Sequence, residues 1–497
     1  MQVTNINTAF GKNNFDFTSA VQLNGNISKT FAIEMNGDSN KDIVSYDQST
    51  KTVYTLLNNG NFGFTPVTIN PPLNNDFLPN SNLSFNNQNQ GGFANLVLGL
   101  DEQLIHVADF NADGKGDVLV LKENYDPNNK ALLLYINNGS SFTSPPILWV
   151  TFSNLITYEY HFGHLDNDVL LDIVLYNAQN GNLDILKGNG NVLSNWYTIS
   201  GVANPQFYVG EFSNNNTFDD IAFSYVDAGS TKLQVLKNNT SNFLLGQITT
   251  VASADVLFYQ GEFNNNLFDD FCIFVRNEGK LRIIENDGII LTYNNAINWL
   301  SGINPGPNVV DFFPGDFDED GQLDLIMFYR EAGVDIGSIW YLKTDLVNHI
   351  FKYNYQSKWN NTANAGLNEY APDLNIQTAD FNNDGKLDLL CNYHLVVNIN
   401  NIPTTLNSLK VGLLLPKLEG YCWPLSAKVG QSIDFYISGS GNLAGNTIVD
   451  IFKLSSDDND VDLGSPLTSF TITPTMQETP FDAHKSGCGW NSSFTVT

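Results

Sequence analysis

The chain has 497 residues, of which 42% are hydrophobic and 12% aromatic, so it can bury one large core or several smaller ones. Only 15% of the residues are charged, yet 52 Asp and Glu against 23 Lys and Arg leave a formal net charge of -29. A surface this acidic repels the phosphates of nucleic acids and anionic lipids, which makes a cation the better partner prediction. The sequence predicts no nucleic-acid partner.

The first 17 residues contain neither the basic nor the apolar segment of a secretory signal peptide. No apolar run reaches the roughly 18 residues that a membrane span needs. We therefore expect no membrane span. Export would require a trimmed precursor or another route.

Seven short acidic segments recur along the chain, each followed by an apolar run of strand-forming residues. They are loop 1 (34–42, EMNGDSNKD), loop 2 (109–117, DFNADGKGD), loop 3 (164–172, HLDNDVLLD), loop 4 (211–220, EFSNNNTFDD), loop 5 (262–270, EFNNNLFDD), loop 6 (316–324, DFDEDGQLD) and loop 7 (380–388, DFNNDGKLD). Most repeat units span about 45 to 65 residues, the size of a four-stranded propeller blade. An Asn- and Pro-rich insertion at 70–92 lengthens the first unit.

Turn signals within the units favour hairpins. Asn-Gly or Asp-Gly pairs occur at 56–64, 135–142, 187–191 and 285–288, and such pairs favour the positive φ of tight hairpin turns. No segment has sustained helical periodicity. The N-terminal segment NNFDFTSAVQL is similar to the outer-strand segment at 60–69. The fold prediction is all-β: a seven-bladed β-propeller over 1–416, with an N-terminal strand closing the last blade, and a small C-terminal β-sandwich over 420–497.

Loops 2, 6 and 7 match the frame D-x-[DN]-x-D-G-x-x-D. Oxygens at positions one, three, five and nine of such a loop, with a backbone carbonyl near position seven, can converge on a calcium ion. The predicted ligands are Asp109, Asn111, Asp113 and Asp117; Asp316, Asp318, Asp320 and Asp324; and Asp380, Asn382, Asp384 and Asp388. An EF-hand is excluded, because Val120, Met327 and Cys391 stand where it needs glutamate at position twelve.

The other loops depart from that frame. In loop 1, Glu34, Asn36, Asp38 and Asp42 keep the spacing but lack the glycine at position six. Loop 3 begins with His164, a poor calcium ligand, followed by Asp166, Asp168 and Asp172. Loops 4 and 5 favour metal-free turns held by Asn side chains. The cofactor prediction is Ca²⁺ at three sites, or up to five with loops 1 and 3; the alternative is that an acidic, Asn-rich chain forms such turns without metal.

These loops and the apolar runs after them, such as DVLVL and DLIMF, resemble FG-GAP/VCBS repeats. The resemblance covers about residues 1–416. It implies the seven-bladed propeller of integrin α chains and of some lectins, with calcium between strands on one face. It says much less about the ligand.

The C-terminal pattern GYCWPLS, VGQSIDFYIS and GCGW resembles the β-sandwich region of the N,N-dimethylformamidase large-subunit family. That family carries its hydrolytic machinery in a further domain, so this chain could be part of a longer protein. Cys422 and Cys488 flank the segment and either pair or remain reduced, whereas Cys272 and Cys391 lie in apolar runs and are predicted to be buried thiols.

No established catalytic motif is present. His484 and Cys488 are four residues apart, but a core or disulfide cysteine is the better interpretation. Five tryptophans could stack on sugars or pack inside blades: Trp149, Trp196, Trp299, Trp340 and Trp359.

The leading functional hypothesis is an extracellular or cell-surface binding module that recognises a glycan or a protein. The second is a non-catalytic targeting or assembly scaffold of a larger secreted enzyme or toxin, and the third is a lyase or hydrolase on the propeller itself.

Overall fold

The computed structural model describes residues 15–17, 21–23, 27–58, 85–86, 93–189, 192–213, 218–239, 242–303, 309–317, 321–330, 337–358, 375–381, 387–399, 402–414, 418–423, 432–439, 447–451, 468–472 and 494–496. Every regular secondary-structure element in these residues is a β-strand. The described part of the chain contains no helix long and apolar enough to cross a bilayer.

The strands follow one another around a β-propeller. The N-terminal strands are β1 (Phe15–Phe17) and β2 (Val21–Leu23). Blade 1 consists of β3 (Ile27–Ile33), β4 (Asp42–Asp47), β5 (Thr52–Asn58), β6 (Phe85–Asn86) and β7 (Leu96–Val97). Blade 2 consists of β8 (Glu102–Ala108), β9 (Asp117–Lys122), β10 (Asn129–Tyr135) and β11 (Ile147–Ser153). Blade 3 consists of β12 (Tyr158–Gly163), β13 (Asp172–Asn177), β14 (Asn182–Leu186) and β15 (Val192–Thr198).

The next three blades have the same antiparallel order. Blade 4 consists of β16 (Gln206–Gly210), β17 (Asp220–Asp227), β18 (Ser230–Asn238) and β19 (Phe243–Val251). Blade 5 consists of β20 (Val256–Gly261), β21 (Asp270–Val275), β22 (Lys280–Asn286), β23 (Leu291–Tyr293) and β24 (Leu300–Ser301). Blade 6 consists of β25 (Val309–Gly315), β26 (Asp324–Arg330), β27 (Gly337–Asp345) and β28 (Ile350–Lys358).

The last repeat unit forms a sheet of mixed origin, here called the composite sheet. It contains β29 (Asn375–Ala379), β30 (Asp388–Ile399) and β31 (Ile402–Leu414), and β31 pairs with both β1 and β2. The N-terminal pairing was predicted from the sequence and is present, with Phe15 opposite Leu414. The remaining strands are β32 (Leu418–Trp423), β33 (Ile433–Gly439), β34 (Thr447–Ile451), β35 (Thr468–Ile472) and β36 (Phe494–Val496).

The predicted count of seven blades needs correction. Six blades are each formed by strands that are consecutive in the described chain. The seventh repeat unit has only three strands of its own in the described residues, because the place beside β31 is taken by β1 and β2. The C-terminal strands form one sheet of three strands, β32, β33 and β36, and one of two, β34 and β35; that these make a sandwich stays a prediction.

The second strand of each blade accounts for the apolar runs after the acidic loops. In β4, β13 and β21 every residue is buried, because both faces of the blade are covered by neighbouring blades. The residue at position two of each loop adds to this core. Phe110, Phe263 and Phe317 are all nearly inaccessible to solvent. Cys272 and Cys391 are both buried, as predicted.

Two of the predicted hairpin turns lie fully within the described chain. Gly139 and Gly288 have φ of 91° and 78°, the positive values that the Asn-Gly and Asp-Gly pairs predict. The turns at 56–64 and 187–191 extend into residues that the structure does not describe.

Side-chain amides join the composite sheet to blade 1. The Gln377 carboxamide accepts from the Ala32 N–H at 3.2 Å and donates to the Thr30 carbonyl. The Asn392 Nδ2 donates to the Thr30 hydroxyl at 3.0 Å. The first and last repeat units are therefore in direct contact.

Replacing Gln377 by Ala is expected to lower the free energy of unfolding by about 1–3 kcal/mol, because it leaves half-buried backbone groups without their partner. Chemical denaturation measures the change. The matched control is Gln103→Ala on β8, where the side chain is exposed and the expected change is below about 0.5 kcal/mol. Equal effects of the two substitutions would contradict the role given to Gln377.

Candidate metal-binding loops

The seven acidic loops occupy equivalent places in the fold, since each joins the first strand of a sheet to the second. The first strands of neighbouring sheets contact one another, as β12 does with β16 and β20 with β25. Connections of the same kind in a propeller emerge at the same face. The predicted ligands within the described residues therefore lie on that face. Asp318, Asp320, Asn382 and Asp384 lie outside the described residues.

Loop 2 is described in full, and its conformation is held by hydrogen bonds from backbone N–H groups to its own side-chain oxygens. The Asp109 carboxylate accepts from the Asp113 N–H at 3.0 Å and from the Gly114 N–H at 2.7 Å. Asn111 Oδ1 also accepts from the Asp113 N–H, at 3.0 Å. Gly114 has φ of 85°, which explains the glycine at position six. The Lys115 ammonium lies 3.2 Å from Asp113 and competes with any cation there.

Loop 3 brings its carboxylates closest together. One oxygen of each of Asp166, Asp168 and Asp172 lies within 4.8 Å of the other two, and the described residues contain no other acidic, His or Cys group of this kind. The Lys187 ammonium is 2.7 Å from Asp166. Burial would raise the pKa of Asp166, but hydrogen bonds from Lys187 and Asp168 make the net change a lowering. Among the described residues, the tightest carboxylate cluster thus lies in a loop that lacks the strict motif.

Loops 1 and 6 each contain a buried carboxylate oxygen with no hydrogen-bond partner in the described structure. Glu34 is 8% exposed, and its Oε1 accepts from the N–H groups of Asn36 and Gly37 at 2.8 and 2.6 Å. Its Oε2 is unpartnered, as is Asp316 Oδ1 in loop 6. Leaving a charged oxygen both buried and unpaired is costly, so these atoms fit a cation ligand.

The aspartate at position nine has a role that the sequence interpretation missed. It is completely buried in all seven loops, at position nine in six of them and at position ten in the longer loop 4: Asp42, Asp117, Asp172, Asp220, Asp270, Asp324 and Asp388. In loop 2 one Asp117 oxygen accepts from the Phe110 N–H at 3.2 Å and the other from the Asn137 N–H at 2.8 Å. In loops 1 to 5 this carboxylate therefore joins the start of the loop to the end of the third strand.

Burial shifts the protonation of these aspartates. It raises the pKa of Asp42 to about 8 and that of Asp117 to about 7, against the opposing effect of the backbone N–H donors. Neighbouring loop carboxylates contribute to both upward shifts of the pKa. A bound cation would favour the ionised forms.

An asparagine at the end of the third strand extends this arrangement to the neighbouring loop. Asn137 Nδ2 donates to the Met35 carbonyl of loop 1 at 2.8 Å and to the Gly116 carbonyl of its own loop at 3.1 Å. Asn58, Asn238 and Asn286 make equivalent bonds to the carbonyls of Phe381, Leu165 and Phe212. The signal was visible in the sequence, because three of these residues open the NNG or NDG turns that were interpreted only as hairpins.

In loops 4 and 5 a second aspartate, directly before the final one, also accepts a backbone hydrogen bond. Asp219 and Asp269, at the place before the final aspartate, accept from the backbone N–H of His164 at 2.6 Å and of Glu211 at 3.2 Å. In loop 5, Asn266 Oδ1 accepts from the Phe268 N–H at 3.0 Å, as predicted for turns held by Asn side chains. Residues 214–217 of loop 4 lie outside the described structure.

Asp270 is expected to make the stability of the protein depend on pH. Because loop 5 is predicted to be a metal-free turn, calcium binding in that loop should not hide the effect. Burial raises the pKa of Asp270 to about 7. Since this is above the unfolded value of about 3.9, the folded state binds more protons, and stability falls as pH rises between those values. In chelator, Asp270 is expected to remove about 2–3 kcal/mol of stability between pH 5 and pH 8.

Denaturation at both pH values tests this, with Asp270→Asn as the variant. The substitution should lower stability at pH 5 and flatten the pH dependence by the stated amount. An unchanged pH slope would contradict the prediction.

Four of the five tryptophans considered as sugar-stacking candidates have described side chains, and none of these four is exposed. Trp299 is buried, and Trp149, Trp196 and Trp340 pack against the apolar cores of their blades. Of the two interpretations, packing inside blades is the correct one for these four. Trp359 and Cys488 lie outside the described residues.

No family model matches the chain, and no curated protein matches it either. The solved structures that the chain is similar to include the S. cerevisiae core factor, with 9% identity, TM-score 0.40 and coverage of 78% of this chain and 57% of that one. The Dos1 propeller has 10% identity, TM-score 0.36 and coverage of 77% of each chain. The rhamnogalacturonan lyase of Bacillus licheniformis has 12% identity, TM-score 0.35 and coverage of 79% and 75%. This chain thus spans less than two thirds of the core factor chain.

Proposed function

We propose that this chain is a calcium-stabilised binding module of the FG-GAP/VCBS type. The observation that carries the proposal is Glu34, whose buried Oε2 has no partner in the described structure although it lies in an acidic loop. Asp316 Oδ1 in loop 6 and the cluster in loop 3 support it. Hard oxygen ligands in a tight turn are the donors that calcium prefers.

The ions would be held by the side chains predicted from the sequence in loops 1, 2, 3, 6 and 7. Calcium would neutralise carboxylates that otherwise repel one another, so its binding would stabilise the loop face. In this proposal calcium has a structural role and takes part in no reaction. A stable, acidic face on a propeller is a suitable surface for recognising another molecule.

The ligand in this proposal is a glycan or a protein partner, and the setting is extracellular, where calcium is abundant. The second candidate is a non-catalytic scaffold of a larger secreted enzyme or toxin. It is favoured by the strands after β31, which form sheets separate from the propeller. We infer a division into a propeller over 1–416 and a second domain over 420–497.

We also infer that the composite sheet closes the ring between blade 6 and blade 1. Its first strand, β29, contacts both β25 of blade 6 and β3 of blade 1. Asn58 Nδ2 donates to the Phe381 carbonyl at 2.6 Å across the same boundary. Both observations fit a closed ring, which leaves no exposed gap between the first and last units.

A glycan array probed with the full chain in about 1 mM calcium tests the leading candidate. We expect binding that is lost in chelator and weakened by Glu34→Gln. The control is Glu159→Gln, which removes an exposed carboxylate outside the loops. Absence of binding in calcium would place the scaffold candidate first.

A further inference from the structure

The hydrogen bonds between loops form two separate series. Loop 7 is joined to loop 1 by Asn58, and loop 1 to loop 2 by Asn137. Loop 3 is joined to loop 4 by Asn238, and loop 4 to loop 5 by Asn286. At each junction one side chain contacts two loops that are far apart in sequence.

Backbone hydrogen bonds reinforce three of these four junctions. The Gly116 N–H donates to the Glu34 carbonyl at 2.8 Å, which joins loop 2 to loop 1. The Asp219 N–H donates to the His164 carbonyl at 2.8 Å, and the Asp269 N–H to the Glu211 carbonyl at 2.7 Å. The position before the final aspartate is therefore a second point of attachment to the preceding loop.

Two boundaries lie within the described residues and lack the carboxamide, whereas the boundary between loops 6 and 7 includes residues outside the described structure. In blade 3 the residue whose N–H donates to Asp172 is Gly188, at 2.8 Å, and glycine has no side chain to reach loop 2. In blade 6 the equivalent residue is Thr344, whose hydroxyl donates to the Leu323 carbonyl of its own loop. The boundaries between loops 2 and 3 and between loops 5 and 6 thus interrupt the two series.

We propose that the loops within each series are energetically coupled, so that ordering one loop stabilises the next. Asn137 shows why. Its N–H is held by Asp117 of loop 2, while its carboxamide holds the Met35 carbonyl inside loop 1. Disorder in loop 1 removes the Met35 carbonyl as an acceptor for the Asn137 side chain. The Asn137 N–H, which Asp117 binds, is then held less firmly in place. Coupling of this kind is reciprocal between the two sites.

The coupling itself requires no cation. Its consequence for calcium rests on the proposed function: an ion in loop 1 would raise the affinity of loop 2 but leave loop 3 unchanged. The boundary at Gly188 makes the proposal specific. Loops 1 and 2 are predicted to be coupled, whereas loops 2 and 3, which are also neighbours, are predicted to be uncoupled.

Hydrogen exchange in chelator, using the full chain, tests the proposal without any metal. Glu34→Ala disrupts loop 1, and the readout is exchange of the Gly114 amide in loop 2. We expect exchange to accelerate on the order of tenfold when Asn137 is present and less than about twofold in the Asn137→Gly background. Asn137→Gly copies the residue that blade 3 already has at this place, and Asn137→Ala is the second variant if the first does not fold.

Two controls accompany it. Asn128→Ala changes an exposed asparagine of the same blade and should leave the transmission intact. Asp109→Ala disrupts loop 2 and should leave the Leu170 amide of loop 3 unchanged. Equal acceleration with and without Asn137, or a response of loop 3 as large as that of loop 2, would overturn the proposal.

A calcium titration then separates this inference from the proposed function. Coupled exchange without calcium binding would sustain the inference and refute calcium. Calcium binding without coupled exchange would support the proposed function and refute the coupling between loops.

Discussion

Replacing Asp117 by Ala is expected to lower the free energy of unfolding by about 2–5 kcal/mol, even in calcium-free buffer. The Asp117 carboxylate is completely buried and accepts from the backbone N–H groups of Phe110 and Asn137. Alanine leaves both donors without an acceptor and opens a small cavity. Chemical denaturation in chelator measures the loss.

The matched control lies in the same loop. Asp113 is partly exposed, so Asp113→Ala should cost less than about 0.5 kcal/mol in chelator. In calcium it should cost more, because a ligand is lost. If Asp117→Ala were as mild as Asp113→Ala in chelator, the bracing role of the aspartate at position nine would be wrong.

Removal of calcium is expected to have the second large effect. A loop that binds with a dissociation constant of about 10⁻⁴ M gains about 1.4 kcal/mol at about 1 mM calcium. Three such loops would together contribute about 4 kcal/mol. Denaturation midpoints in 1 mM calcium and in chelator give the difference.

Two comparisons make that measurement specific. Magnesium at the same concentration should restore less stability, because it demands a stricter octahedral geometry. Asp166→Asn combined with Asp168→Asn should reduce the difference in stability between calcium and chelator by about 1.4 kcal/mol. Identical midpoints with and without calcium would contradict the prediction.

The features best predicted from the sequence were those fixed by local pattern. Apolar runs such as Val118–Leu121 gave the second strands, because a strand covered on both faces needs no polar alternation. Asn-Gly and Asp-Gly gave the turns at Gly139 and Gly288. The N-terminal strand was found by its similarity to an outer strand.

The features that were missed depend on contacts between distant residues. Asp117 matched a metal motif, so its bonds to Phe110 and Asn137 were not considered. Asn137 reaches loop 1 across 102 residues of sequence, which no local pattern reveals. The strict motif of loop 2 also gave no hint that loop 3 would have the tighter carboxylate cluster, since that depends on loop conformation.

The number of blades was mispredicted for a related reason. Counting repeats gives seven units, but the number of strands in the last one depends on what pairs with β31. Strand pairing between the two ends of a chain is a tertiary contact. The sequence could suggest that the N-terminal segment pairs with the last repeat unit, but it did not determine how many strands the resulting sheet contains.

The most direct measurement is the number of calcium ions bound by the full chain, obtained by equilibrium dialysis at about 1 mM calcium followed by elemental analysis. Cation ligation by the acidic loops predicts about three to five ions per chain, reduced by about one with Glu34→Gln. Fewer than one ion per chain would contradict it, and the loops would then be turns held by hydrogen bonds alone.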